Sequence, residues 1–180
     1  SEGWAVGNNG AIRHTTNGGA SWSTQTSPIG GLLTSVFFFD ENNGWIVSRD
    51  NWGEIIHTTN GGSTWTLQPE SSLNPWNDVF FISPTKGWVV GMDSTIMRTN
   101  DGGQTWVKCN LQVSNNPYLR SVQFIDEMTG WAVGTAGFIL KTEDGGINWH
   151  DVHSGHDELL QSVFFTDPLN GWASGTDGVV

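Results

Sequence analysis

Two histidines and two carboxylates follow one another closely near the end of the chain. His153, His156, Asp157 and Glu158 are side chains of the types that bind zinc and other divalent metals. The segment contains no cysteine, however, and its spacing matches no zinc-ligand pattern. The sequence therefore favours a solvated loop, and we predict no metal site and no cofactor.

Catalysis by an activated thiol is not indicated either. Cys109 is the only cysteine, so an intrachain disulfide is excluded, and no base stands beside it in the sequence to activate the thiol. The sequence does not mark Cys109 as a nucleophile, and because no other motif demands catalysis we predict no catalytic residue and no enzyme activity.

An asparagine or aspartate recurs in each copy of the motif Thr-x-Asn/Asp-Gly-Gly-x-x-Trp. These side chains could be calcium ligands or catalytic acids, but a group repeated in every unit of an array is usually architectural. An Asx side chain can accept hydrogen bonds from backbone N–H groups in a turn, and glycine tolerates the positive φ that the turn needs. The predicted turn residues are Thr15, Asn17, Gly19, Trp22, Thr58, Asn60, Gly62, Trp65, Thr99, Asp101, Gly103, Trp106, Thr142, Asp144, Gly146 and Trp149.

The segments between the repeated motifs vary from one repeat to the next, and variable loops on a constant scaffold are where binding sites tend to lie. Trp52 falls outside both repeating tryptophan positions, while Trp76 and Tyr118 stand at the start of an apolar run. Exposed rings of this kind could stack on sugars or anchor a protein, or they could simply cover sheet edges. The predicted binding residues are Arg49, Asp50, Trp52, Trp76, Asp93, Tyr118, His153 and His156.

Three signals repeat in one frame. The pair Gly-Trp occurs five times, with tryptophans separated by 41, 43, 43 and 41 residues. The Thr-x-Asn/Asp-Gly-Gly turn keeps step with it, and so does an apolar run such as Val36-Phe37-Phe38. A period of this length, with four short strand-like pieces and Gly-rich turns, is typical of a propeller blade.

A four-stranded sheet of this size cannot bury two apolar faces alone, whereas blades stacked around an axis bury both. The sequence thus predicts an all-β fold, a β-propeller of four-stranded antiparallel blades, in a single region over residues 1–180. The predicted repeats are 33–75, 76–117 and 118–159, with partial repeats at 1–32 and 160–180. Because both ends would supply the same strand of a blade, we expect an arc of a larger propeller.

The formal net charge of −11 excludes several partners. Nucleic-acid binding and docking on an anionic membrane both need clustered Lys and Arg, and here the seven basic residues are spread singly along the chain. No apolar stretch approaches the ~20 residues that cross a bilayer. We therefore predict neither nucleic-acid binding nor membrane insertion.

The Thr-x-Asn/Asp-Gly-Gly-x-x-Trp turn resembles the Asp-box of sialidases and other propellers, a BNR-type repeat. The full unit, in which Gly-Trp-x-Val-Gly, an Ile-containing piece, this turn and a Val-Phe strand succeed one another, is similar to the photosystem II assembly and stability factor propellers. That resemblance implies a seven-bladed propeller that helps to assemble a membrane complex without catalysis. Because relatives are often secreted, it also implies an extracytoplasmic location: secreted, periplasmic, cell-surface or lumenal.

The leading hypothesis is therefore a non-catalytic scaffold that binds another protein or a membrane-protein complex. One alternative is a lectin-like module that reads glycans through Trp52, Trp76 and Tyr118. Another is a fragment of an Asp-box glycoside hydrolase, which would need two carboxylates facing each other at ~5–10 Å.

Overall fold

A computed structural model describes residues 1–50, 53–69, 74–113 and 115–178. These residues form short β-strands and three single 3₁₀ turns, and no helix among them is long and apolar enough to cross a membrane. The strands are β1 (Gly3–Val6), β2 (Ile12–Thr15), β3 (Ser23–Gln25), β4 (Leu33–Phe38), β5 (Gly44–Ser48), β6 (Ile55–Thr58), β7 (Thr66–Leu67), β8 (Trp76–Phe81), β9 (Gly87–Gly91), β10 (Ile96–Thr99), β11 (Val107–Lys108), β12 (Asn110–Gln112), β13 (Leu119–Phe124), β14 (Gly130–Gly134), β15 (Ile139–Thr142), β16 (Asn148–Asp151), β17 (Leu160–Asp167) and β18 (Asn170–Gly175).

Strands that follow one another along the chain pair antiparallel and form five sheets. The sheets are β1-β2-β3, β4-β5-β6-β7, β8-β9-β10-β11, β13-β14-β15-β16 and β17-β18. The edge strands β4, β8, β13 and β17 pack against one another, so these edges converge on a common axis. The fold is therefore the predicted succession of antiparallel propeller blades, with partial sheets at both ends.

The Gly-Trp pair begins the second strand of each complete sheet, and β5, β9 and β14 are buried along their whole lengths. The Trp45 ring stacks on Phe81 of the next sheet, with ring centroids 3.6 Å apart. Glycine precedes the tryptophan because a Cβ on Gly87 would lie 2.5 Å from the Phe81 ring. The Gly-Trp pair thus makes room for a phenylalanine in its own sheet and covers one in the next.

In each of the three complete sheets, the Asp-box tryptophan meets the phenylalanine of the inner strand edge-on. The planes of Phe81 and Trp106 are inclined by 84°, and those of Phe124 and Trp149 by 88°. The buried clusters consequently combine residues from neighbouring sheets. The core therefore lies between sheets rather than within one. Each buried ring in it contributes roughly 2–3 kcal/mol of transfer free energy.

In the partial sheets, Trp22 and Trp172 lack, within the described part of the chain, the phenylalanine that the equivalent tryptophans of the complete sheets contact. Trp22 is 46% exposed and Trp172 is 54% exposed, whereas the equivalent rings of the complete sheets are buried. The stability of a sheet therefore depends on the neighbour that covers it, as in other stacked-repeat folds.

One complete sheet departs from the predicted four antiparallel strands. After β11 the chain continues into β12, which pairs parallel with β16 of the following sheet. The backbone N–H of Asn110 donates to the Ile147 carbonyl at 2.9 Å, and the Asn110 side chain donates to Asn148 Oδ1 at 2.9 Å. This fifth strand covers an edge that would otherwise be open.

Candidate functional site

The inner strands are irregular just after their first residue. The pairing of β8 with β9 shifts between Trp76 and Asp78, and β4, β13 and β17 show the same shift at the equivalent place. A residue that is skipped by the pairing can be redirected by such a bulge. The skipped residues are all polar or charged: Thr34, Asn77, Arg120 and Gln161.

These four side chains line a cavity of about 340 Å³ where the inner strands converge, together with Arg49 and Leu159. Arg49 directly follows β5, and Leu159 directly precedes β17, so both belong to loops on one face of the arc. This cavity is named the axial pocket below.

The loop that carries Arg49 is fixed at several points. Its backbone N–H donates to the Leu32 carbonyl at 3.0 Å, and the Asp50 carboxylate accepts a hydrogen bond from the Leu32 N–H at 2.8 Å. On the other side of the loop, the Trp76 indole donates to the Gly53 carbonyl at 2.7 Å. The Arg49 backbone is therefore held in place before any ligand arrives.

The guanidinium of Arg49 donates from Nη2 to Asn77 Oδ1. Asn77 in turn donates from Nδ2 to the Leu119 carbonyl at 2.6 Å. One side-chain amide thus connects three successive sheets at the rim of the axial pocket.

The axial pocket is positively charged. Burial and the neighbouring charge of Arg49 lower the pKa of Arg120, which places the two guanidinium groups within electrostatic reach of each other. The ion pairs recorded among the described residues all use histidine or lysine, and none uses an arginine. The Nε atoms of Arg49 and Arg120 are buried and have no hydrogen-bond partner within the described part of the chain. Paired guanidinium groups with free N–H groups are suited to a carboxylate or another oxyanion.

Trp52 and Trp76 are two of the predicted binding residues. Trp52 lies outside the described residues. The prediction of an exposed ring at Trp76 is wrong, because this side chain is 0% exposed and its indole N–H is used by Gly53. Trp76 occupies the first position of its inner strand, where β4, β13 and β17 carry leucine, and it is therefore a core residue.

The other predicted loop residues lie on the surface but outside the axial pocket. Tyr118 is 42% exposed, and its backbone N–H donates to Thr135 Oγ1 at 3.0 Å. Asp93 is exposed in a turn with φ of 51°. Asp50 is exposed as well and serves as the hydrogen-bond acceptor for Leu32 described above.

His153 and His156 lie in the exposed loop between β16 and β17. His153 has φ of 38° and donates from its backbone N–H to Asp151 at 2.8 Å. His156 Nδ1 lies 3.8 Å from a carboxylate oxygen of Glu158. Throughout the described part of the chain, no group of three or more potential metal ligands comes together.

The Asp-box turns use their polar atoms internally. In the second box, Thr58 donates to Asn60 Oδ1 at 2.9 Å and accepts from the Gly62 N–H at 2.9 Å. The Thr64 N–H donates to the same Asn60 oxygen at 2.9 Å. The equivalent three bonds occur in the boxes of Asn17, Asp101 and Asp144.

The same kind of hydrogen bond keeps the Asp-box aspartate Asp101 ionised. Burial would raise the pKa of Asp101, but hydrogen bonds from Thr105 and Thr99 outweigh it and hold the pKa below its usual value. Cys109 behaves in the opposite way, since burial raises the pKa of its thiol to about 12 and keeps it protonated. Neither side chain is poised as an acid, a base or a nucleophile.

Sequence reasoning identified Arg49 but missed Arg120, Asn77, Thr34 and Gln161. A signal was present: a polar residue stands two positions before the valine that opens each apolar run, in the same register of every repeat. In a propeller this register faces the axis, so the four positions could have been grouped from the repeat alone.

Solved structures with the same fold include members of one assembly-factor family. A structure of YCF48 bound to D1 peptide is 25% identical, with a TM-score of 0.73 over 97% of this chain and 57% of that chain. YCF48 from Cyanidioschyzon merolae is 21% identical, with a TM-score of 0.73 over 97% of this chain and 63% of that chain. This chain therefore spans about three fifths of the length of these two proteins.

The fold is shared more widely. An ancestral GH74 enzyme is 14% identical, with a TM-score of 0.73 over 97% of this chain and 30% of that enzyme, a likeness that concerns the fold alone. No curated protein is similar enough in sequence to count as a relative. The family model described as Photosynthesis system II assembly factor YCF48 matches residues 1–75 and 69–159. The chain belongs to that family.

Proposed function

We propose that this protein is a non-catalytic scaffold that binds an extended, carboxylate-bearing segment of a partner protein at the axial pocket and so helps to assemble a complex. Family membership supports a role in assembly. The structure of YCF48 bound to D1 peptide supports a polypeptide as the kind of partner.

The observation that carries the proposal is the pair of guanidinium groups, Arg49 and Arg120, which have no carboxylate partner among the described residues. Every arginine among the described residues lacks an ion-pair partner, but Arg49 and Arg120 differ from Arg13 and Arg98 because they line the same cavity. A carboxylate bound between them would remove their mutual repulsion and accept charge-assisted hydrogen bonds of roughly 1.5–3 kcal/mol each.

The chemistry of the pocket supports binding rather than catalysis. The six residues that line it, Thr34, Arg49, Asn77, Arg120, Leu159 and Gln161, include neither a carboxylate nor a histidine. They include no lysine, tyrosine or cysteine either, and general acid–base catalysis and glycoside hydrolysis use side chains of these kinds at the substrate. The proposed pocket holds and orients an anion but cannot move a proton at neutral pH.

An array of 12-residue peptides tests the proposal. Each acidic peptide is paired with a version in which Asp and Glu are replaced by Asn and Gln, and the D1 peptide is included. We expect acidic peptides to bind the wild-type protein at low salt and to bind at least ~10-fold more weakly after Arg49→Gln or Arg120→Gln, which each remove a charged hydrogen-bond donor.

The matched control is Arg13→Gln, since Arg13 lies on β2, away from the axial pocket. We expect this variant to bind peptides like the wild type. Equal binding of acidic and amide peptides, or binding that survives the Arg49 and Arg120 changes, would contradict the proposal.

We also propose an extracytoplasmic location, which is supported by the resemblance to secreted propellers. An antibody against this chain should detect it in the periplasmic, lumenal or secreted fraction of the native cells. Recovery with a cytoplasmic marker enzyme would overturn this part of the proposal.

A further inference from the structure

We propose that Asn77 is a positioning residue, which fixes the guanidinium of Arg49 in the orientation that receives the ligand. The inference rests on the proposed function of the axial pocket. Asn77 is only 8% exposed, and its side chain contacts Arg49 on one side and the Leu119 carbonyl on the other.

The orientation of the Asn77 amide is determined by its surroundings. Its nitrogen donates to the Leu119 carbonyl at 2.6 Å, so its oxygen must face Arg49. A flipped amide would set NH₂ against the guanidinium and oxygen against the carbonyl, which are two repulsive contacts. Asn77 therefore offers Arg49 a fixed acceptor and not a freely rotating one.

The equivalent residue of the preceding repeat shows that connecting two sheets does not require an asparagine. Thr34 occupies the same register in β4 and donates from its hydroxyl to the Trp76 carbonyl at 2.9 Å. A hydroxyl is thus sufficient to connect one sheet to the next at this position. The second polar atom of Asn77 exceeds that need, and it is the atom that holds Arg49.

Fixing one Arg49 N–H has a consequence for the rest of the group. A guanidinium is planar, so an anchored Nη2 restricts the plane and the direction of the remaining N–H groups. The Nε atoms of both arginines are buried, so the donors left for an oxyanion are Nη1 of Arg49 and the two terminal nitrogens of Arg120, which make no hydrogen bond among the described residues. Asn77 thereby sets how well Arg49 distinguishes a carboxylate from an uncharged amide.

The test compares Asn77→Thr with the wild type, using the acidic and amide versions of the peptides defined above. Threonine keeps a hydroxyl donor like the one that Thr34 uses, but it removes the amide oxygen that accepts from Arg49 and offers no second polar atom in its place. We expect affinity for acidic peptides to fall by about 10-fold, which is comparable to the loss in metal affinity when a group that orients a metal ligand is removed. The affinity for amide peptides should change little. Gln123→Thr is the control, because the Gln123 amide also connects two sheets, through Phe165, but lies outside the pocket.

A double-mutant cycle with Arg49→Gln distinguishes positioning from general damage. If Asn77 acts through Arg49, Asn77→Thr combined with Arg49→Gln should bind no more weakly than Arg49→Gln alone. Arg49→Lys gives a second measurement should Asn77→Thr fold poorly. It keeps the charge but loses the planar fork that Asn77 orients, and we expect it to bind acidic peptides about 10-fold more weakly than the wild type.

The outcomes separate the two proposals. Asn77→Thr binding that equals the wild type, or fully additive losses in the cycle, would overturn the role of Asn77 while leaving the proposed function intact. Binding of acidic peptides by Arg49→Lys with the affinity of the wild type would overturn it as well. If neither Arg49→Gln nor Arg120→Gln weakens binding, the proposed function fails, and the role of Asn77 fails with it.

Discussion

Trp88 lies parallel to Phe124 of the following sheet, with ring centroids 3.4 Å apart and planes inclined by 10°. The Trp88 indole also donates to the Gly145 carbonyl in the Asp-box turn of that sheet, at 3.2 Å. A residue of one repeat therefore contacts two motifs of the next. The motifs of one repeat thus pack against those of the next. This packing explains why the motifs recur at the same spacing in every repeat.

Removing this stack should strongly destabilise the protein. We expect Phe124→Ala to lower the free energy of unfolding by about 3–5 kcal/mol, because it leaves a cavity between two buried tryptophans. Val107→Ala is the control, since Val107 is 54% exposed on β11 and should change stability by only about 0.5 kcal/mol. Urea unfolding measures both, and similar losses would contradict the role of inter-sheet stacking.

The glycine of the Gly-Trp pair is the subject of a second prediction. Gly87→Ala would place a Cβ 2.5 Å from the Phe81 ring, so the ring must move out of its position between Trp45 and Trp106. We expect a loss of about 1–3 kcal/mol from overpacking. Gly30→Ala, where a Cβ would meet nothing within 4 Å, should be close to neutral, and thermal unfolding of both variants checks this.

The Asp-box threonine gives a third prediction. Thr58→Val removes the hydroxyl that accepts from the Gly62 N–H and donates to Asn60, which leaves a buried backbone N–H without a partner. We expect a cost of about 1–3 kcal/mol. In the same turn Thr64→Val removes only an exposed contact with the Asn60 side chain, so an equal cost for both variants would argue against the threonine as the lock of the turn.

Much of the fold could be predicted because the motifs are local and repeated. The turn of Asn60 and the Gly-Trp strand at Trp45 follow from residue types and spacing alone. The exposure of Trp76 was predicted wrongly because the prediction rested on its aromatic side chain and not on its position in the repeat. Its equivalents in other repeats are leucines, and leucine at the first position of an inner strand indicates a buried site.

The axial pocket is harder to predict because it is a property of radial packing. Arg49 follows the second strand of one sheet, whereas Arg120 lies in the first strand of a sheet two further along. No local pattern brings these two charges together. The parallel pairing of β12 was also missed, since a continuation of three residues beyond the outer strand carries no motif of its own.

A half-buried histidine should make the protein sensitive to acid. His57 lies against Trp45 with ring centroids 4.5 Å apart, and burial lowers its pKa from the usual 6.5. The unfolded chain therefore takes up this proton at a higher pH than the folded chain. The contribution of His57 to stability is complete above about pH 6.5 and is lost as the pH falls through the folded pKa.

His57→Phe keeps a ring against Trp45 but removes the titration. We expect the difference in unfolding free energy between pH 8 and pH 5 to be smaller in this variant than in the wild type. Denaturant titrations at both pH values measure it. His150→Phe, at an exposed position of β16, serves as the control, and an unchanged pH dependence in His57→Phe would exclude His57 as the acid-sensitive group.

The axial pocket predicts a conflict between stability and binding. Burial and the charge of Arg49 lower the pKa of Arg120, so the protonated side chain is less favourable in the folded protein than in the unfolded chain. Without a ligand, Arg120→Gln should therefore raise the free energy of unfolding by about 0.5 kcal/mol, as expected for relief of a partly exposed charge pair. The wild type should approach the variant as salt screens the repulsion.

The same substitution should abolish the gain in stability that an acidic peptide gives the wild type. A ligand that binds only the folded state stabilises it according to its concentration relative to Kd, so a variant that binds weakly gains little at the same peptide concentration. Thermal unfolding with and without peptide measures both effects in one series. Arg120→Gln that is less stable than the wild type without peptide, yet gains as much from it, would show that the arginines serve the scaffold and not the ligand.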